Sequence, residues 1–233
     1  MLKYVYRWYN KYIVLGDGII LINYNSSYIR SNVERDFSMV CSDELDKFNT
    51  INEVINSLNN YLLIKNPSKN SMEYYVRLII SRISEHMISA TLLIGKGFII
   101  DGINLVRSSY EDLWLVQNIF FKENYFEEWL NGQEVRPWRL RQLKELEEIK
   151  EENEIIYKAL CNISHCSKDS VEHMASIRNS FDAVINDFRL VVVSYYSFSL
   201  QILDAMENYY GDNEDFRALN KKLADLNIVM NED

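Results

Sequence analysis

The stretch from Leu105 to Phe121, LVRSSYEDLWLVQNIFF, is almost continuously apolar around Arg107 and Glu111. A helix that is apolar on most of its faces must be enclosed by other elements on most sides. We therefore predict a central, buried helix over about 98–122. The remainder of the chain must supply the helices that cover it.

Glycine and proline are scarce, since 233 residues contain only 7 Gly and 2 Pro. β-Sandwiches and nucleotide-binding α/β folds depend on glycine-rich turns, whereas long helices need few breaks. The 16 Tyr and 10 Phe residues can supply a heavily aromatic core. These features predict a mainly α protein, an up-and-down helical bundle built around the central helix.

The N-terminal part of the chain differs from the rest. Residues 11–24, KYIVLGDGIILINY, form two apolar runs rich in β-branched residues around Gly-Asp-Gly, a pattern typical of a small β-hairpin. A continuous helix is the alternative, which two glycines within three residues disfavour. We predict an N-terminal extension over 1–40 and a helical bundle domain over 41–233.

Two helices precede the central one. Helical periodicity begins near Ser42 and ends at Asn66, because the following proline disfavours helix in the residue before it. A second helix starts near Ser71 and continues to the break at Gly95.

Two later segments carry less regular signals. Residues 123–150 are charged and contain Trp, with Gly132 and Pro137 as breaks, and we predict an inserted helical element that extends from the bundle. Residues 171–210 keep helical periodicity, and 40 residues of helix would span about 60 Å. That length predicts either a break near Asp187 or an end that projects into a dimer interface.

The net charge of −9 at pH 7 argues against uniform, non-specific binding of nucleic acid, because phosphate contacts need concentrated Lys and Arg. A local basic patch that contacts RNA is still compatible with it. The 3 Cys residues form no even-numbered disulfide framework, which indicates a reducing cytosol. No apolar run reaches the ~18 residues of a membrane span, and no signal-peptide pattern is present. We expect a cytoplasmic protein without membrane contact.

The central helix carries the main candidate site. Arg107 and Glu111 stand four residues apart, so their side chains share one face and can pair. Two interpretations stay open, a structural clamp between buried charges and the floor of a functional site. His165 lies four residues after Cys161, which allows a metal pair but lacks the spacing of a structural zinc site. No phosphate-binding glycine loop is present, so neither ATP nor another cofactor is predicted.

The RSSYE motif at 107–111, followed by Y-x-x-L-x-x-x-S-H at 157–165, resembles an uncharacterised bacterial all-helical family. That family pairs an RS-x-x-E helix with a later Y-x-x-L…H helix, and the resemblance covers about residues 71–205. It implies that Arg107, Glu111 and His165 converge in the middle of a bundle. These three are the candidate catalytic residues.

More distantly, the chain is similar to HEPN helical bundles, which are often found in bacterial defence and toxin systems and include metal-independent ribonucleases. Active members carry an arginine followed by four to six residues and then a histidine. Here Arg82 and His86 share a helix face with only three residues between them, and no histidine follows Arg178 at the family's distance. This departure counts against ribonuclease activity even if the fold agrees.

Three functional hypotheses follow, and the sequence does not decide whether the protein is an enzyme. The first is a helical regulatory or interaction protein in a defence or stress module, which acts as a homodimer or with a protein partner. The second is a HEPN-like ribonuclease in which His165 or His86 acts with an arginine on RNA. The third is a metal-dependent hydrolase built on Cys161, His165 and Glu111.

Overall fold

The computed structural model describes residues 12–15, 19–22, 37, 39–132, 136–142, 147–164, 172 and 181–228. This part of the chain is mainly helical and forms a helical bundle, as predicted. Its elements are, in chain order, β1 (Tyr12–Leu15), β2 (Ile19–Ile22), α1 (Ser42–Lys65), α2 (Met72–Gly95), α3 (Ile99–Phe121), α4 (Tyr125–Leu130), α5 (Pro137–Leu140), α6 (Glu147–Ser164), α7 (Phe181–Tyr210) and α8 (Glu214–Ala224).

The two short strands pair with each other. β1 and β2 are antiparallel, with Tyr12 opposite Ile22 and Leu15 opposite Ile19. Over the described residues 12–15 and 19–22, this pairing agrees with the predicted hairpin and not with a continuous helix.

α3 is the central helix of the bundle, and its bounds agree with the predicted span of about 98–122. Fifteen of its 23 residues are buried, and from Asp112 to Phe120 every residue is buried. Burial of nine consecutive residues requires cover on all sides of the helix. α2, α6 and α7 supply most of it, and α4 and α5 pack against α3 as well.

The turn between α2 and α3 sets two helices close together. Ser71 caps the start of α2 by accepting a hydrogen bond from the Tyr74 backbone N–H at 3.1 Å. At the other end of α2, just after the turn, Gly102 of α3 lies very near this helix. A Cβ added there would stand 2.7 Å from Ile94 Cγ1 and 3.1 Å from the Ala90 carbonyl oxygen. Glycine at this position therefore permits the close contact between the two helices.

α7 is one continuous helix of 30 residues through Asp187. The predicted break near Asp187 is therefore wrong. The predicted start of this helix at residue 171 lies outside the described residues. Between 165 and 180 the structure describes only Glu172. At about 1.5 Å per residue, the described helix is ~45 Å long.

The described helices α4 and α5 after α3 contact the bundle, whereas the sequence had predicted a segment that extends away. Leu140 at the end of α5 is only 2% exposed. Asn118 of α3 donates from Nδ2 to the Leu140 carbonyl oxygen at 2.9 Å. In α4, the rings of Phe126 and Trp129 lie 5.8 and 5.7 Å from the ring of Tyr75 on α2. Aromatic and backbone contacts thus hold the two short helices against α2 and α3.

Among the described helices, α2 alone is long and apolar enough to cross a membrane by length and composition. Its most apolar window has a mean hydropathy of 1.3, and 44% of that window is buried inside the bundle. The other part of this helix faces outward, and its apolar side chains are considered below.

One buried polar link joins three helices. Asn52 of α1 accepts two hydrogen bonds at Oδ1, from Ser84 Oγ of α2 and from the Tyr195 hydroxyl of α7, both at 2.8 Å. The Tyr195 side chain is fully buried, and Ser84 is 7% exposed. Burial raises the pKa of Tyr195 far above its usual range, so this hydroxyl remains a donor.

We predict that Asn52→Ala lowers the free energy of unfolding by about 2–3 kcal/mol, because two buried hydroxyl groups lose their acceptor. Urea unfolding followed by circular dichroism measures the change. The control is Asn60→Ala in the same helix, where the side chain is exposed and the change stays within about 0.5 kcal/mol. Equal effects of the two substitutions would contradict this link.

Candidate functional site

The candidate site is built on one side of α3, where it faces α6. Glu111 lies on this side, and the Tyr157 hydroxyl of α6 donates to Glu111 Oε1 at 2.7 Å. Burial, followed by this hydrogen bond, raises the pKa of Tyr157, and the nearby Arg107 opposes the shift. Tyr157 is therefore a neutral hydroxyl donor that holds the Glu111 carboxylate in place.

Arg141 covers the aromatic rings beside this hydrogen bond. Its guanidinium carbon lies 5.0 Å from the centre of the Tyr157 ring and 5.4 Å from that of Trp114. The two rings are themselves 4.9 Å apart. A guanidinium over aromatic faces is attracted by their negative potential.

Arg107 lies one turn before Glu111, but among the ion pairs of the described residues none joins the two. The Arg107 Nε atom is buried and has no hydrogen-bond partner. The Glu111 carboxylate instead binds the Tyr157 hydroxyl. On this side of α3, the arginine and the carboxylate are thus neighbours that no described ion pair joins.

A second charged cluster lies about 100° farther around the same turn, where α3 faces α2. Asp112 is bonded through both carboxylate oxygens to Arg82, with Arg82 Nε at 2.8 Å from Oδ2. His86 Nδ1 lies 3.9 Å from the same Oδ2. The Asp112 side chain is 9% exposed, whereas that of Arg82 is 54% exposed. A buried carboxylate therefore faces a partly hydrated arginine.

Burial raises the pKa of Asp112 above its ordinary value of 3.8, and the bonds from Arg82 only partly offset that effect. The neighbouring Glu111 adds to the rise, and His86 opposes it. Ionised Asp112 is consequently less favourable in the folded chain than in the unfolded chain.

The sequence placed Arg107, Glu111 and His165 in one site. The structure describes the first two, which lie near Tyr157, while His165 lies outside the described residues. Cys161, the other residue named for a metal, is a partly buried free thiol one turn after Tyr157. Within the described residues, no group of three or more His, Cys, Asp or Glu side chains is placed to hold a metal ion.

The contacts of three residues in these clusters were not predicted from the sequence. Tyr157 stood in the quoted motif, but its bond to Glu111 was not foreseen. Arg82 and His86 share one face of α2, which suggests an acidic partner, but their spacing does not indicate which residue of which helix supplies it. Nothing in the sequence signals that Arg141, beyond the break at Gly132, returns to Trp114.

Comparison of the chain with protein-family models, with curated proteins and with solved structures found no match.

We predict that Asp112→Asn changes how stability depends on pH. Because the native pKa lies above the unfolded value of 3.8, the unfolded chain ionises first as the pH rises. The contribution of Asp112 to the free energy of unfolding is therefore largest below pH 3.8, falls from there through the native pKa, and then levels off. Asp112→Asn removes this fall.

Urea unfolding of both proteins between pH 3 and 7 measures the difference, with the exposed Asp204→Asn as control. At pH 7 we expect Asp112→Asn to cost no more than about 1–2 kcal/mol, because the half-exposed Arg82 regains water when it loses its partner. A stability advantage of the wild type that grows with rising pH would contradict the argument.

Proposed function

We propose that this chain is a helical interaction protein, and that the outward face of α2 binds a second copy of the chain. The observation that carries the proposal is a row of exposed apolar side chains on this helix. Leu78, Ile88 and Leu92 are 46%, 38% and 59% exposed. A surface helix normally turns charged and polar residues outward, so an outward apolar row favours a protein contact.

The opposite side of α2 is occupied by the core of the bundle. Val76, Ile80, Ile83 and Met87 are fully buried. Two apolar sides on one helix are more than the bundle itself requires. The outward side therefore supports contact with something other than the core of the same chain.

Charge within the row favours a second copy as the partner. Arg82 and Glu85 are both exposed and lie near the middle of the row. Suppose that two copies of α2 pack antiparallel, with the twofold axis passing midway between residues 82 and 85. Arg82 of each copy then lies at the same height along the helix as Glu85 of the other. On the same axis, Leu78 of one copy comes within about 1.5 Å, along the helix, of the level of Ile88 of the other. The surface is thus self-complementary, as a twofold interface must be.

A second candidate is metal-independent cleavage of RNA, which one observation favours. His86 Nδ1 faces the buried Asp112 carboxylate at 3.9 Å, and Arg82 lies beside them. In that role, His86 would take the proton from a 2′-hydroxyl, whose oxygen attacks the adjacent phosphorus, and return the proton to the departing 5′-oxygen. Arg82 would face the phosphate, and Asp112 would orient the imidazole.

We expect the wild-type chain to be a dimer in sedimentation velocity and Leu92→Glu to be a monomer, because the new charge would be buried in the interface. Ile155→Glu is the matched control, since Ile155 is 63% exposed on α6 and lies outside the row. This variant should remain a dimer. Glu85→Arg should also weaken the dimer, because it places like charges opposite each other.

A monomeric wild type at about 100 μM would overturn this self-association, as would a dimer that Leu92→Glu leaves intact. Sedimentation of the wild type with phosphatidylcholine vesicles, lost in Leu92→Glu, would instead assign the row to a lipid surface.

For the second candidate, we predict that purified protein in EDTA cleaves a mixed-sequence single-stranded RNA and that His86→Ala loses at least about a hundredfold in rate. Denaturing electrophoresis of end-labelled RNA measures the cleavage. A 2′-deoxy substrate is the control, because it lacks the attacking hydroxyl. Absence of cleavage, or equal cleavage by His86→Ala, would remove this candidate.

A further inference from the structure

We infer that Arg107 and Arg141 form a binding site for a phosphate group, either free or carried by a small molecule. This site lies on the α6 side of α3, away from the outward row of α2, and does not depend on the proposed self-association.

The first argument is the way Arg141 is held. Its guanidinium stacks over Trp114 and Tyr157 at 5.4 and 5.0 Å. Among the hydrogen bonds and ion pairs of the described residues, none involves Arg141, and its Nε atom is buried without a partner. A contact with aromatic faces uses none of the five N–H donors of the guanidinium. The unpartnered Nε–H can therefore serve an anion, which a guanidinium binds through two parallel hydrogen bonds.

The second argument is that Arg107 of α3 also has a buried Nε atom without a hydrogen-bond partner. Its side chain is partly buried, and it lies one turn before Glu111 and two turns before Trp114 on the same face of α3. A buried donor that remains unpaired costs about 1–3 kcal/mol. Two such donors beside one tyrosine are explained if an anion satisfies both.

The third argument concerns local charge. Glu111 is the nearest described carboxylate in sequence, and it accepts the Tyr157 hydroxyl instead of pairing with Arg107. Asp112 is bonded to Arg82 where α3 faces α2. Of these described side chains, two arginines thus face one carboxylate, on a chain whose net charge is −9. A phosphate, with three acceptor oxygens, can bind both guanidinium groups at once.

The test is a titration of the full-length protein with inorganic phosphate at pH 6.5 and constant ionic strength, followed through the arginine Nε–H resonances. We expect a saturable shift of the Arg107 and Arg141 signals. Arg141→Gln should weaken binding at least about tenfold, which is the loss expected for one charge-assisted contact. Arg107→Gln gives a second, separate measurement of the same site.

Arg139→Gln is the matched control. Arg139 lies two residues before Arg141 and also stacks on a tryptophan, with its guanidinium 5.2 Å from the half-exposed ring of Trp138. This variant should bind phosphate like the wild type. Acetate at equal ionic strength serves as the carboxylate arm and should cause no saturable shift.

Three outcomes would overturn the inference: no saturable shift with phosphate, an equal shift with acetate, or unchanged binding in both Arg141→Gln and Arg107→Gln. If Arg141→Gln does not fold, Arg141→Lys keeps the charge but loses the planar fork, and it should still bind more weakly than Arg139→Gln.

Discussion

The structure depends on the enclosure of α3. From Asp112 to Phe120 no residue of this helix is exposed, so each polar side chain there needs a partner from another element. Gln117 donates to Gln201 of α7 at 3.0 Å, and Asn118 donates to the Leu140 carbonyl oxygen at the end of α5. The polar groups of the central helix therefore determine where its neighbours can lie, in addition to what apolar packing requires.

The same constraint explains why adjacent carboxylates have different surroundings. Glu111 and Asp112 are about 100° apart around the helix axis, so one faces α6 and the other α2. Glu111 receives a neutral hydroxyl, and Asp112 receives a guanidinium. The charges on α3 thus lie in two separate environments. Beside Glu111, the Nε atoms of Arg107 and Arg141 have no hydrogen-bond partner, whereas Arg82 is paired with Asp112.

The periodicity of apolar residues was enough to predict α1, α2 and the central helix, because burial of one face or of all faces leaves a regular spacing in the sequence. The pairing of Asp112 with Arg82 was not accessible in the same way, because it depends on which face of α2 meets α3. The packing of α4 and α5 was also missed, because Gly132 and Pro137 indicate where helices break and not where the chain goes next. The role of His165 stays a prediction.

The bond from Asn118 to the Leu140 carbonyl oxygen has a consequence for motion as well as for packing. It fastens the end of α5 to α3, and Arg141 is the next residue along the chain. If this fastening opens locally, Arg141 leaves the rings of Trp114 and Tyr157. An anion that binds only when the hydrogen bond is formed shifts the equilibrium toward the closed segment. Conversely, local opening of the segment weakens the binding of the anion, and the two effects are coupled by the same free energy. Amide hydrogen exchange at 136–142 and binding of an anion by Arg107 and Arg141 would therefore both report on the local opening of this segment.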